Sequence, residues 1–263
     1  MDFEIKERYD FYDLVEILRL LRAPGGCPWD AEQTHESIKK NFIEETYEVI
    51  EAINKKDPVL LCEELGDVML QVVFHAQMSK EACEFTVDDV TDGVCKKLIE
   101  RHPHVFGDIS VSGVGEVLDN WDAIKRRTKG QKATSDAMDS VARELPALMR
   151  AAKIQHKAKK AGFDWDDVSG ALDKLEEEIS ELREAIRIKG EKERTEELGD
   201  VLFSAVNVSR FIDVDAEEAL TSSTDKFITR FKAVEALAAE RGINMKNSSL
   251  EELDKLWDEA KQK

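Results

Sequence analysis

The hexapeptide Glu-Glu-Leu-Gly-Asp-Val occurs at 63–68 and again at 196–201. In each copy an acidic cluster precedes it by the same distance, Glu44-Glu45-Thr-Tyr-Glu48 in the first and Glu177-Glu178-Ile-Ser-Glu181 in the second. A shift of 133 residues carries Glu45, Glu48, Glu64 and Asp67 onto Glu178, Glu181, Glu197 and Asp200. The tryptophans repeat too. A shift of 136 carries Trp29 onto Trp165 and Trp121 onto Trp257, with Trp-x-x-x-Lys ending at Lys125 and Lys261. The basic pair Lys97/Arg101 recurs as Lys226/Arg230. A period of this length is too long for a solenoid repeat and fits two domains in one chain.

Only five prolines and thirteen glycines interrupt 263 residues rich in Glu, Lys, Leu and Ala, a composition that favours helix. Apolar residues at helical spacing (Phe11, Leu14, Val15, Leu18, Leu21) predict a helix over 10–22, ended by a loop at 23–30. Further helices are expected near 34–55, 59–80, 86–101 and 114–129, and in the second half near 146–160, 168–188, 191–211, 215–241 and 249–261. No run alternates persuasively enough to be a strand. The expectation is an all-α fold of two tandem helical bundles, 1–126 and 146–263, joined by a polar linker at 127–145.

The net charge of −18 argues against a protein that coats DNA or RNA, but not against a small phosphorylated ligand carried with a metal. The four cysteines (27, 62, 83 and 95) form no Cys-x-x-Cys and read as reduced, mostly buried thiols of a cytosolic protein. No apolar stretch is long enough to cross a bilayer, and Met-Asp-Phe-Glu-Ile-Lys-Glu lacks the pattern of a signal peptide. The expected location is therefore the cytoplasm, with no membrane partner.

Residues three or four apart share a helix face, so Glu178 projects with Glu181 and Glu197 with Asp200. A hairpin of the two helices can point both pairs into one groove. Each pair of bare carboxylates at ~4 Å repels by about 4 kcal/mol at an effective dielectric near 20. Raised pKa values or a cation must relieve this. Oxygen ligands without paired His or Cys suit Mg²⁺ or Mn²⁺. Glutamate-rich helices are also common solvated faces. The kept spacing, and Leu65, Val68, Leu198 and Val201 expected to pack beside the acids, favour a site. Gly66 and Gly199 are costly in mid-helix by roughly 1 kcal/mol each, which close helix approach, ligand access or plain packing could justify. A ferritin-like di-iron site needs Glu-x-x-His on two helices, and only Glu32-Gln-Thr-His35 fits.

With these motifs, and with Cys-Pro-Trp-Asp at 27–30 and Arg-His-Pro-His-Val-Phe at 101–106, nearly the whole chain resembles the two-domain bacterial form of the MazG family of nucleoside triphosphate pyrophosphohydrolases. The resemblance implies helices that complete their bundles in a homodimer. It also implies Mg²⁺-dependent hydrolysis of NTP to NMP and pyrophosphate, with Mn²⁺ as a substitute. Metal ligands and catalytic carboxylates would be Glu178, Glu181, Glu197 and Asp200, with a second set at Glu45, Glu48, Glu64 and Asp67. Nucleotide contacts would be Lys174, Glu177, Lys226, Arg230, Trp257 and Lys261. Related folds act on dUTP, dCTP or phosphoribosyl-ATP, and a Mg²⁺-dependent nucleotide sensor without turnover is the non-enzymatic alternative. Lys174 and Asn207 share a face with the acids in the second half, where the first half has Asn41 and Phe74. That difference favours the C-terminal half as the active site. His102 and His104 read as loop caps, and His35, His75 and His156 carry no partner pattern.

Overall fold

The computed structural model describes residues 3–188 and 190–261. Among them are thirteen α-helices, a single 3-10 turn at Met245–Asn247 and no strand, so the all-α expectation holds. The chain divides into two compact units, Met1–Lys125 and Arg126–Lys263.

The first unit is built on α1 (Phe11–Arg22), α3 (His35–Lys55) and α4 (Pro58–Glu81), with the short α2 (Pro28–Glu32) between the first two. Each start has a local cause. Asp10 caps α1 by accepting from Tyr12 N and Asp13 N, and Thr34 caps α3 by accepting from Ser37 N. Lys56 takes the left-handed conformation (φ 54°) that ends α3, and Asp57 then caps α4 with Pro58 in its first turn. This tight sequence makes α3 and α4 a packed hairpin. Their apolar faces and that of α1 meet in a core of Leu18, Ile38, Val73, Phe74 and Met78. Arg22 secures the edge of that core. It donates to both Glu81 oxygens (2.8–3.1 Å) and to the carbonyls of Asp30 and Gln33, and its guanidinium lies over the Phe74 ring. The unit continues through α5 (Val87–Arg101), the single turn α6 (Pro103–Phe106) and α7 (Val114–Thr128), which runs past the division between units.

The second unit comprises α8 (Thr134–Asp139), α9 (Ala147–Lys160), α10 (Val168–Ile188), α11 (Glu191–Phe211), α12 (Ala216–Glu240) and α13 (Leu250–Ala260). α10 and α11 form the counterpart hairpin, with α9 packed on α11. A separate apolar cluster joins α12 to α13 through Val234, Leu237, Ala238, Leu256 and Ala260, with Trp257 against it.

Several local expectations need correction. The loop at 23–30 contains the start of α2, because Pro28 is preorganised for a first helical turn. The stretch 127–145 carries α8, packed on α9, with Ala137 and Val141 buried. Two small apolar anchors suffice to dock one turn of helix. The cysteines are free, as expected, but Cys62, Cys83 and Cys95 are exposed rather than buried. Leu65 and Leu198, expected to pack beside the acids, are each 49% exposed. A methyl added at Gly66 or Gly199 meets nothing within 4 Å, so no close helix approach inside the chain accounts for them. His102 Nδ1 bonds the Leu98 carbonyl at 2.7 Å at the end of α5, the capping role expected of it. His35 and His75, given no partner from sequence, hydrogen-bond through their Nδ1 atoms at 2.7 Å.

Candidate active site

In the second unit the hairpin brings oxygens of Glu178, Glu197 and Asp200 within 4.8 Å of one another. Glu178 comes from α10 and is buried, whereas Glu197 is half-buried and Asp200 exposed on α11. Glu181 lies one turn past Glu178, is exposed, and falls outside this trio. It still belongs to the same field. Burial, then the charges of Glu178 and Glu197, raise the Glu181 pKa. Burial, then Glu178, Glu196 and Glu197, raise that of Asp200. Crowded carboxylates resist ionisation unless positive charge arrives.

One positive charge is supplied by the chain itself. Lys174, one turn before Glu178, places Nζ 2.9 Å from Glu178 Oε1 and 3.0 Å from Glu177 Oε1. Hydrogen bonds to these two carboxylates raise the lysine pKa.

The first unit forms a similar but differently composed trio, Glu45, Glu48 and Glu64, within the same 4.8 Å, and Asp67 lies outside it. Burial is the main reason that Glu45 and Glu64 titrate high, reinforced by Glu48 and Asp67. The residue corresponding to Asn207 here is Phe74, which is buried in the core rather than turned to a ligand.

Both trios fit a hard divalent cation in donor chemistry, being oxygen only.

Beside the second trio lies a cavity of about 200 Å³, whose lining combines Glu178, Asp200 and Lys174 with apolar Ile154, Ala158, Phe163 and Trp165. Trp165 is held there by a glycine. A methyl on Gly170 would lie 2.2 Å from the indole Cδ1, so the ring can rest on the first turn of α10 only because that position lacks a side chain. Asp164 pairs with Arg210 across α11, and Arg210 in turn donates to Asn207 Oδ1 at 2.7 and 3.1 Å. Burial works against the Asp164 carboxylate, but the Arg210 hydrogen bonds and charge prevail and hold its pKa low. Gln155, only 6% exposed, donates Nε2 to the Phe203 carbonyl at 2.7 Å, while its Oε1 is buried with no hydrogen-bond partner among the described residues. An unmet buried acceptor costs about 1–3 kcal/mol.

Lys226, Arg230, Trp257 and Lys261 do not line this cavity. Lys226 and Arg230 are on α12, where Phe227 stacks on Phe231 and contacts Trp257 at 5.0 Å. Trp257 covers the α12–α13 cluster, and Lys261 pairs with Asp258. Sequence reading missed Gln155, Asp164 and Arg210. Asp164 and Arg210 are 46 residues apart and Gln155 sits in an amphipathic helix, so no local spacing marks them.

A model of the MazG nucleotide pyrophosphohydrolase domain matches the chain twice, at residues 33–106 and 166–235, and both matches contain a trio. The chain belongs to the MazG family. It is 48% identical over 251 residues to the nucleoside triphosphate pyrophosphohydrolase/pyrophosphatase MazG of Thermotoga maritima, covering 95% of both chains. It is 43% identical to the nucleoside triphosphate pyrophosphohydrolase of Escherichia coli K12, covering 94% of this chain and 95% of that one. The YabN protein of Bacillus subtilis is 48% identical over 97% of this chain, which corresponds to 52% of YabN. Membership of MazG accords with the doubled hairpin and its acids. No helix among the described residues is long and apolar enough to cross a membrane.

Proposed function

We propose that this chain is a nucleoside triphosphate pyrophosphohydrolase that cleaves NTPs and dNTPs between the α- and β-phosphates, releasing the monophosphate and pyrophosphate. The observation that carries this reading is the Glu178–Glu197–Asp200 trio at the edge of an apolar cavity, with Lys174 beside it. The relatives' names support the same activity.

Mg²⁺, or Mn²⁺ in its place, would be held by Glu178, Glu197 and Asp200, with Glu181, one turn past Glu178, as a further ligand or as the acceptor of a proton from water. When bound there, the ion would supply positive charge to the phosphates and lower the pKa of a bound water. Lys174 exchanges its carboxylate partners for phosphate when the substrate tail arrives. Lys226, Arg230, Trp257 and Lys261 follow from the family resemblance as nucleotide contacts, and Glu177 positions Lys174. α12 would approach the cavity in a homodimer. Exposed Leu172, Ile186, Leu198, Leu202, Phe227 and Phe231 on α10, α11 and α12 support that assembly, since such a surface is costly to leave in water. The C-terminal unit is the principal active site, because Lys174 and Asn207 flank its acids. The N-terminal trio is a second cation site.

Incubation with each NTP and Mg²⁺, followed by ion-exchange separation of products, tests the reading. Monophosphate plus pyrophosphate is expected. Diphosphate plus orthophosphate would contradict the bond assignment, and binding without turnover would make the protein a nucleotide sensor.

A further inference from the structure

Resting on the nucleotide reading above, we propose that Gln155 and Asn207 together read the edge of the nucleobase, Gln155 as hydrogen-bond acceptor and Asn207 as donor. Both residues line the cavity beside the acids, and each is 6% exposed. The cavity, at about 200 Å³, is smaller than the roughly 300–1,000 Å³ that encloses a drug-sized ligand, so it takes one part of a nucleotide. Its apolar wall and the aromatic faces of Phe163 and Trp165 suit a flat ring rather than a phosphate. Glu178 and Asp200, which also line it, then fall to the phosphate end.

The polarity of each amide is fixed by a bond outside the cavity. Gln155 gives one Nε2 N–H to the Phe203 carbonyl at 2.7 Å, which orients the amide and leaves Oε1 a buried acceptor without a partner among the described residues. Asn207 has its Oδ1 taken by two Arg210 N–H groups, and Asp164 holds that guanidinium. The group Asn207 retains is therefore its Nδ2 donor. Asp164 and Arg210 act as positioning residues for Asn207.

An acceptor and a donor match a base edge that offers an N–H next to an acceptor. Adenine (N6–H and N1), cytosine (N4–H and N3), guanine (N1–H and O6) and uracil (N3–H and O4) all present that pair. The N–H and the acceptor run in opposite order in adenine and cytosine and in guanine and uracil, so the pair takes one set with the ring turned over relative to the other. The pocket rejects a ring without the N–H, because Gln155 Oε1 then stays unmet.

The test compares ATP with purine riboside triphosphate, which keeps the ring system but lacks the exocyclic amine. Equilibrium affinity in the presence of Mg²⁺ and kcat/KM are both read, for the wild-type chain and for Gln155→Met. The wild type is expected to prefer ATP by roughly tenfold or more, and the variant to lose the preference to within about twofold. A ratio cancels general damage to the variant, and the wild-type ratio alone decides the matter if the variant does not fold. A wild type that treats the two nucleotides alike, or a folded variant that keeps the full preference, overturns the assignment. A wild type that binds ATP selectively but turns neither nucleotide over sinks the hydrolase reading and supports the base-reading pair. Binding of neither nucleotide overturns both.

Discussion

Lys174 Nζ lies 2.9 Å from Glu178 Oε1, so the most buried carboxylate of the trio is already paired with a cation from its own helix. Any metal ion must compete with that ammonium, and any triphosphate offers it a new anion. Lys174→Met is expected to tighten Mn²⁺ binding severalfold when no nucleotide is present. It is also expected to lower kcat/KM for NTP by roughly tenfold or more. Calorimetric titration with Mn²⁺ and steady-state assays check the two halves. Unchanged metal affinity together with unchanged turnover would remove Lys174 from the site.

Glu178→Ala and Glu197→Ala are each expected to abolish turnover while circular dichroism shows undiminished helicity. Glu45→Ala and Glu64→Ala are expected to retain most of it, because Phe74 replaces Asn207 in the first unit. Wild-type rates in either of the first pair, or total loss in the second pair, would exchange the roles of the two units.

The Arg22–Glu81 pair predicts how the first unit responds to acid. Arg22 hydrogen bonds hold the Glu81 pKa below its usual value, and the Arg22 side chain is 7% exposed. A carboxylate with a depressed folded-state pKa adds stability above its unfolded pKa, and loses it as pH falls through the folded one. Glu81 is itself 40% exposed, so screening reduces the effect to about 1–2 kcal/mol. Glu81→Gln is expected to lower stability by that amount at pH 7, with the two proteins converging at pH 3 or below. Urea unfolding at both pH values measures it, and a gap that persists in acid would refute the ion-pair origin.

Gly170→Ala places a methyl where the Trp165 indole rests. The ring must move, so the variant is expected to show altered tryptophan emission and a KM for NTP raised by roughly threefold or more, with the trio's Mn²⁺ affinity kept. Unchanged emission and KM would mean that Trp165 does not shape the cavity.

Much of this molecule was legible in one dimension. Helical spacing and the doubled acidic motif gave the all-α class and both hairpins, because each depends on residues within a turn of one another. The same rule put Glu178 beside Glu181, and Glu197 beside Asp200. It could not say which acids meet across the helices.

That choice belongs to tertiary structure. The rotation of α10 against α11 gathers Glu178, Glu197 and Asp200 and leaves Glu181 aside, whereas α3 and α4 gather Glu45, Glu48 and Glu64 and leave Asp67 aside. Packing also turns Gln155 toward Phe203 and joins Asp164 to Arg210 across 46 residues. Local spacing set the helices, the duplication and the carboxylates available to each hairpin. The fold decided their partners, because contacts between helices depend on axial rotation and rotamers summed over the whole interface, which no short spacing encodes.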